Sequence, residues 1–151
     1  MRDAFLEDMS VGQRFGSGTI RVSAEDIVRF GRDFDPQPSH LDRTLAKETL
    51  FGDLAASGWH TAALTMRLLV EGEFLPAGGI VGAGFDELVW PVPVRAGDEL
   101  HVTTEILTVR RSQSRPKQGV IKVRNLTINQ NGETVQRAVG NLIVKARSSG
   151  P

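Results

Sequence analysis

The chain has 151 residues, 40% hydrophobic and 24% charged, with 18 Lys and Arg balanced by 18 Asp and Glu. That length is most naturally one domain over 1–151, able to bury about two-thirds of the surface of its unfolded form. Zero formal net charge argues against a nucleic-acid partner, which requires a basic excess, and the lack of cysteine rules out a disulfide framework, a thiolate metal site and a cysteine nucleophile.

The N-terminus, with Arg2, Asp3, Glu7 and Asp8, has neither the basic nor the apolar region of a signal peptide. The longest strongly apolar stretch, Trp59 to Val70, contains His60 and Arg67 and is too short to span a bilayer. A cytoplasmic protein with no membrane partner is the expectation, and the Ser148-Ser149-Gly150-Pro151 end reads as a frayed tail.

In chain order, Gly16-Ser17-Gly18 marks a turn and Ile20-Arg21-Val22 a short strand. Ser23 with Asp26 resembles a capping box, and Ile27, Phe30 and Phe34 form an apolar stripe, so a helix is predicted over 24–34. Next comes Asp35-Pro36-Gln37-Pro38-Ser39-His40-Leu41-Asp42. Pro36 and Pro38 fix their own φ and bias the preceding residues away from the helical region, which predicts a stiff, extended turn. Such a turn holds a carboxylate and an imidazole at a set separation, as acid/base chemistry on one bound water needs. An ordinary surface turn has the same composition.

A second helix is predicted over 42–50, capped by Asp42, and Phe51-Gly52-Asp53-Leu54 reads as a connector. Ser57-Gly58 stands directly before a long apolar run. Backbone N–H groups there are unpaired donors at the positive end of a helix dipole and suit an oxyanion. The helix itself, from Trp59 to about Phe74, is apolar nearly all round and reads as buried core. After Pro76-Ala77-Gly78-Gly79, four β-rich runs follow over 80–89, 99–111, 119–130 and 134–146, with Asn131-Gly132 a hairpin signal between the last two. Strands of that length must twist and curl, and a curled antiparallel sheet with one long apolar helix available wraps it.

Asp35 through His40, Ser57-Gly58 opening a helix, Trp90-Pro91-Val92 and Ala96-Gly97-Asp98-Glu99-Leu100 together resemble the MaoC-like dehydratases, the (R)-specific enoyl-CoA hydratase group, from about Val11 to Lys145. The resemblance implies an α+β hotdog fold, a curled antiparallel sheet around one long central helix. It also implies a hydro-lyase acting reversibly on a 2-enoyl-CoA or 3-hydroxyacyl-CoA type thioester. In that family the Asp and His of an Asp-x-Asn-Pro-x-His motif hold the water, and a glycine N–H polarises the thioester carbonyl. Carried over, these roles fall on Asp35, His40 and Gly58, with Gln37, Ser57 and Trp59 as substrate-binding candidates. The sequence departs from the pattern at Gln37 (usually Asn), at Ser57 (often His) and at Ala63 (Ser in some hydratases).

No cofactor is implied beyond the coenzyme A or acyl carrier that forms part of the substrate. A single curled sheet leaves an open edge, so a homodimer or higher homo-oligomer is expected. Other readings stay open: a hotdog acyl-CoA thioesterase, a non-catalytic acyl-thioester-binding module, and a metal site from Asp35, His40, Asp42 and His60, for which nothing else supplies convergent ligands. The basic segment from Arg110 to Lys117 reads as a solvated hairpin tip or as a contact for coenzyme A phosphates. Trp59, Phe85 and Trp90 read as core or as walls of an acyl tunnel.

Overall fold

A computed structural model of the chain describes residues 1–147, so the expected frayed tail at 148–151 lies outside the described residues. Helix α1 (Ala24–Phe34) begins where the Ser23 hydroxyl accepts the Asp26 N–H at 3.0 Å. Only that half of the capping box forms, because the Asp26 carboxylate pairs instead with Arg29. Helix α2 (Arg43–Ala46) is one turn long, shorter than predicted, and Asp42 caps it by accepting from Thr44 and Leu45.

Helix α3 (Gly58–Val70) ends before the expected Phe74. That phenylalanine is buried elsewhere, its ring 4.8 Å from Phe15. The face of α3 carrying Thr61, Thr65, Leu68 and Leu69 is buried toward β4 and β6. The expectation of a helix buried all round is corrected: Trp59, Met66 and Val70 are exposed on the opposite face.

Six strands form one antiparallel sheet: β1 (Arg14–Phe15), β2 (Ile20–Arg21), β3 (Val81–Val89), β4 (Glu99–Arg111), β5 (Gln118–Ile128) and β6 (Thr134–Lys145). The order is β1-β4-β5-β6-β3, with β2 also pairing β4 through Ile20 opposite Leu100. Alternation sets which faces are buried: Leu100, Val102, Thr104 and Ile106 on β4 all point inward, every second residue. The β5–β6 hairpin turns at Gly132, whose φ of +77° suits the residue without a Cβ. Asn129 Oδ1 accepts the Asn131 and Glu133 N–H groups there.

The register shifts in β3 on both sides of Phe85, in β4 between Ile106 and Thr108 and in β6 near Val135, and such bulges add local twist and bend. One core cluster, with Val22, Ile27, Leu54, Val94 and Leu100, lies under the Asp35 turn and the start of α3. A second, with Leu6, Met9, Ile106, Ile121 and Val144, fills the other end. This is the α+β hotdog fold, a curled antiparallel sheet with α3 across its concave face. Among the described residues, no helix is long and apolar enough to cross a membrane.

Candidate functional site

Three segments meet at one point: the end of α1, the Pro38–His40 turn and the start of α3. Asp35 is the C-cap of α1, its N–H donating to Gly31 O at 2.9 Å. The extended conformation expected of the proline segment holds at Gln37, whereas Pro38–His40 is a single 3₁₀ turn. Proline fits there because the first position of a helical turn needs no N–H. This turn packs tightly on α1. A Cβ at Gly31 would lie 2.6 Å from His40 O, so only glycine allows the approach.

The imidazole of His40 is buried, and its Nδ1 lies 2.7 Å from Ala55 O. A carbonyl oxygen can only accept, so Nδ1 carries the proton and Nε2 faces the other way. There it stands 3.4 Å from Asp35 Oδ2. That separation is long for a direct hydrogen bond, but one water about 2.8 Å from each atom closes the triangle.

Both Asp35 oxygens are held. Gln37 Nε2 donates to Oδ1 at 2.6 Å and Ser57 Oγ donates to Oδ2 at 2.7 Å. Burial pushes the Asp35 carboxyl up, but hydrogen bonds from Gln37 and Ser57, with His40 beside it, outweigh burial and hold it below the ordinary aspartate range. The carboxylate is therefore ionised at neutral pH.

Ser57 is 1% exposed and is also the N-cap of α3, accepting the Trp59 N–H at 3.2 Å. One hydroxyl thus ties the helix start to the carboxylate. Both contacts lie within the chain, and the hydroxyl oxygen keeps a second lone pair able to accept from a substrate atom. Gly58 follows as the first residue of α3, where the backbone N–H has no intrahelical acceptor. A Cβ on Gly58 would fall 2.7 Å from the Trp90 indole, so this position is fixed by packing as well.

Trp59 is 59% exposed and meets Trp90 edge-on at 5.5 Å. Its side chain stands outside the crevice in front of Gly58, which is lined by Phe51, Thr61, Trp90, Val92 and Val135 and holds about 240 Å³. Ala63 also faces outward.

Of the four residues of the metal reading, Asp35 and His40 are paired and the other two are engaged elsewhere. Asp42 caps α2, and His60 is stacked on Phe30 with ring centroids 4.8 Å apart. Among the described residues, no three His, Cys, Asp or Glu side chains are grouped to hold a metal ion. The Arg110-to-Lys117 tip joins β4 to β5 at the end of β4 opposite the site. Arg111 is engaged there by Glu7 and by Pro116 O, so within one protomer the tip does not face the site.

Two contributors escaped the sequence reading: Gly31, a glycine inside a helical pattern, and Ala55, which acts through a carbonyl that any residue supplies. Trp90 read as core or as a tunnel wall. Trp90 is partly exposed, and its Nε1 donates to Gln136 at 2.9 Å.

Comparison with known proteins places this geometry in a family. The family model described as "MaoC like domain" matches residues 8–130. The uncharacterized protein YdeM of Bacillus subtilis is 31% identical over 140 residues, covering 93% of this chain and 98% of the relative. The 3-hydroxybutyryl-CoA dehydratase of Methylorubrum extorquens is 33% identical over 109 residues, 70% of this chain and 66% of that protein. The crystal structure of the MaoC-like dehydratase from Rhodospirillum rubrum superposes with a TM-score of 0.92 at 52% identity, covering 96% of this chain and 99% of that one.

Proposed function

Because the chain belongs to the MaoC-like domain family, we propose that it is a hydro-lyase catalysing reversible hydration of a 2-enoyl thioester to a 3-hydroxyacyl thioester, carried on coenzyme A or an acyl carrier protein. The observation that carries this reading is the 3.4 Å approach of His40 Nε2 to an ionised Asp35 whose two oxygens are both held in place.

In this reading a water sits between Asp35 Oδ2 and His40 Nε2. The carboxylate takes one water proton as the oxygen attacks the β-carbon, and electron density moves through the double bond onto the thioester oxygen. The Gly58 N–H, at the positive end of α3, stabilises that enolate oxygen, an interaction commonly worth about 3 kcal/mol. The proton then passes from Asp35 to His40 Nε2 and on to the α-carbon, so that H and OH are added and neither residue is changed. Gln37 and Ser57 position Asp35, and Ala55 O positions His40. No separate cofactor is needed, since the carrier is part of the substrate.

A homodimer is part of the proposal. Strand β3 is an unpaired edge, and Phe85 on it is 60% exposed. Val81 on the same strand is also exposed, as are Trp59, Met66 and Val70 on α3. An open edge beside exposed apolar side chains suits a second copy that extends the sheet antiparallel across a twofold axis. Cytoplasmic location and a single domain over 1–151 complete the reading, and both rest on the sequence.

The test is incubation with crotonyl-CoA. Hydration consumes the conjugated double bond and leaves the thioester intact. Release of free thiol would point instead to a thioesterase, and binding without turnover across a panel of enoyl thioesters to a non-catalytic module.

A further inference from the structure

Trp90 links the crevice in front of Gly58 to a second space, since it lines the first and is hydrogen-bonded to a residue that lines the second. On the near side, Phe51, Thr61, Val92 and Val135 enclose about 240 Å³ against the Trp90 indole. On the far side, between α3 and the sheet, lies a cavity of about 100 Å³ lined by Thr65, Leu69, Phe85, Val123, Asn125 and Gln136. Gln136 lines this second space and at the same time accepts the Trp90 Nε1–H at 2.9 Å. Its amide nitrogen reaches back to Thr65 Oγ1 at 3.4 Å.

The indole is fixed at three points. Its ring atoms cover Gly58, where a Cβ would sit 2.7 to 2.9 Å away; its N–H is tied to β6; its edge meets Trp59. The backbone makes this possible. Thr127 pairs with Gln136 while Ile128 pairs with Thr134, which leaves Val135 as the extra residue of a bulge. Without the bulge, consecutive residues would point to opposite faces of the sheet. With it, Val135 and Gln136 are both buried, one lining each space.

We propose that Trp90 is the residue that sets acyl-chain length, closing the crevice at Gly58 so that short acyl groups fit and longer ones are stopped before the cavity over Thr65. This inference rests on the hydratase reading above. Thr65 lies seven residues beyond Gly58, about 10 Å along the helix at ~1.5 Å per residue. An extended chain of about eight carbons spans that distance, taking zigzag carbon–carbon bonds of about 1.5 Å. A four-carbon acyl group stays within the crevice. An eight-carbon group running along α3 reaches Thr65 only by passing the indole packed over Gly58.

The test measures kcat/KM for trans-2-enoyl-CoA substrates of four, six, eight and twelve carbons with the wild-type protein, Trp90→Ala and Trp90→Phe. Wild type is expected to lose efficiency with length. Trp90→Ala is expected to raise the eight-carbon to four-carbon ratio at least about tenfold, in the range that a few methylenes in an apolar pocket discriminate. Trp90→Phe, with a smaller ring and no N–H, should fall between. A ratio within twofold of wild type in variants that melt cooperatively overturns the proposal. If Trp90→Ala does not fold, the Phe variant carries the same comparison.

Calorimetric titration with saturated butyryl-, octanoyl- and dodecanoyl-CoA separates this proposal from the hydratase reading, because it needs no turnover. If no enoyl thioester is hydrated, the hydratase reading fails. The length limit still stands if wild type binds octanoyl-CoA more weakly than butyryl-CoA and a Trp90 variant removes the difference. Equal binding of all lengths by wild type overturns it.

Discussion

Replacing Ser57 with alanine removes two interactions through one atom. The hydroxyl donates to Asp35 Oδ2 at 2.7 Å and accepts the Trp59 N–H at 3.2 Å. Losing a helix N-cap costs about 1 kcal/mol, and losing a hydrogen bond to an ionised partner about 1.5–3 kcal/mol. The two losses share an atom and are not additive, so a total of about 2–3 kcal/mol is expected. For a chain of this size that lowers Tm by roughly 4–12 °C. The functional consequence has a direction of its own. Ser57 is one of the groups that lower the Asp35 pKa against the burial that raises it. Without it the carboxyl binds its proton at higher pH, and the acid limb of kcat/KM moves upward. The measurement is a pH profile of enoyl-CoA hydration for wild type and Ser57→Ala, beside thermal melts of both. A fall in Tm with an acid limb that stays where wild type has it would refute the positioning role and leave Ser57 as a helix cap alone. Restoration of the limb by Ser57→Thr, which keeps the hydroxyl, would support it.

Gly31→Ala puts a methyl 2.6 Å from the His40 carbonyl, and the backbone on both sides must give way. Hydration should fall at least about tenfold with a loss of about 1–3 kcal/mol in stability; near-wild-type kinetics would show that the His40 turn tolerates displacement. His60 is buried, and its Nδ1 has no hydrogen-bond partner among the described residues. Burial lowers its pKa, opposed by Asp26 and reinforced by Arg29 and His40. A group depressed on folding contributes stability above its unfolded value near 6.5 and loses it as pH falls through the folded value. Denaturant unfolding should therefore show stability dropping below about pH 6.5, with a smaller drop in His60→Phe, and parallel curves would exclude His60 as the source. Sedimentation should give a dimer for wild type and a shift toward monomer for Phe85→Lys, which places a charge on the open β3 edge; a wild-type monomer at micromolar concentration would remove the dimer from the proposal.

What could be read from sequence follows from how local each determinant is. The alternation along β4 and the cap and stripe of α1 are set by neighbouring residues, and both elements appear at 99–111 and 24–34 as predicted. The Asn131-Gly132 turn is equally local. The outer face of α3 was misread because an apolar pattern signals burial without saying what buries it, and Trp59, Met66 and Val70 face away from their own sheet. The pairing of Asp35 with His40 was legible because only four residues, two of them prolines, separate them. The bond from Ser57 to Asp35 spans 22 residues and depends on how α1 and α3 cross. The Ala55 carbonyl has no side-chain signature at all. Trp90 read as core or as a tunnel wall, and its placement over Gly58 depends on the packing of two elements 32 residues apart.

The most direct measurement compares wild type and Asp35→Asn in hydrating crotonyl-CoA, following loss of the conjugated enoyl thioester. The substitution keeps the size of the side chain and removes the base. Wild type is expected to hydrate the substrate without releasing thiol, and Asp35→Asn to be slower by about 10²–10⁴-fold, the usual contribution of a positioned acid or base. Hydration by Asp35→Asn at close to the wild-type rate would contradict the assignment of the chemistry to this carboxylate.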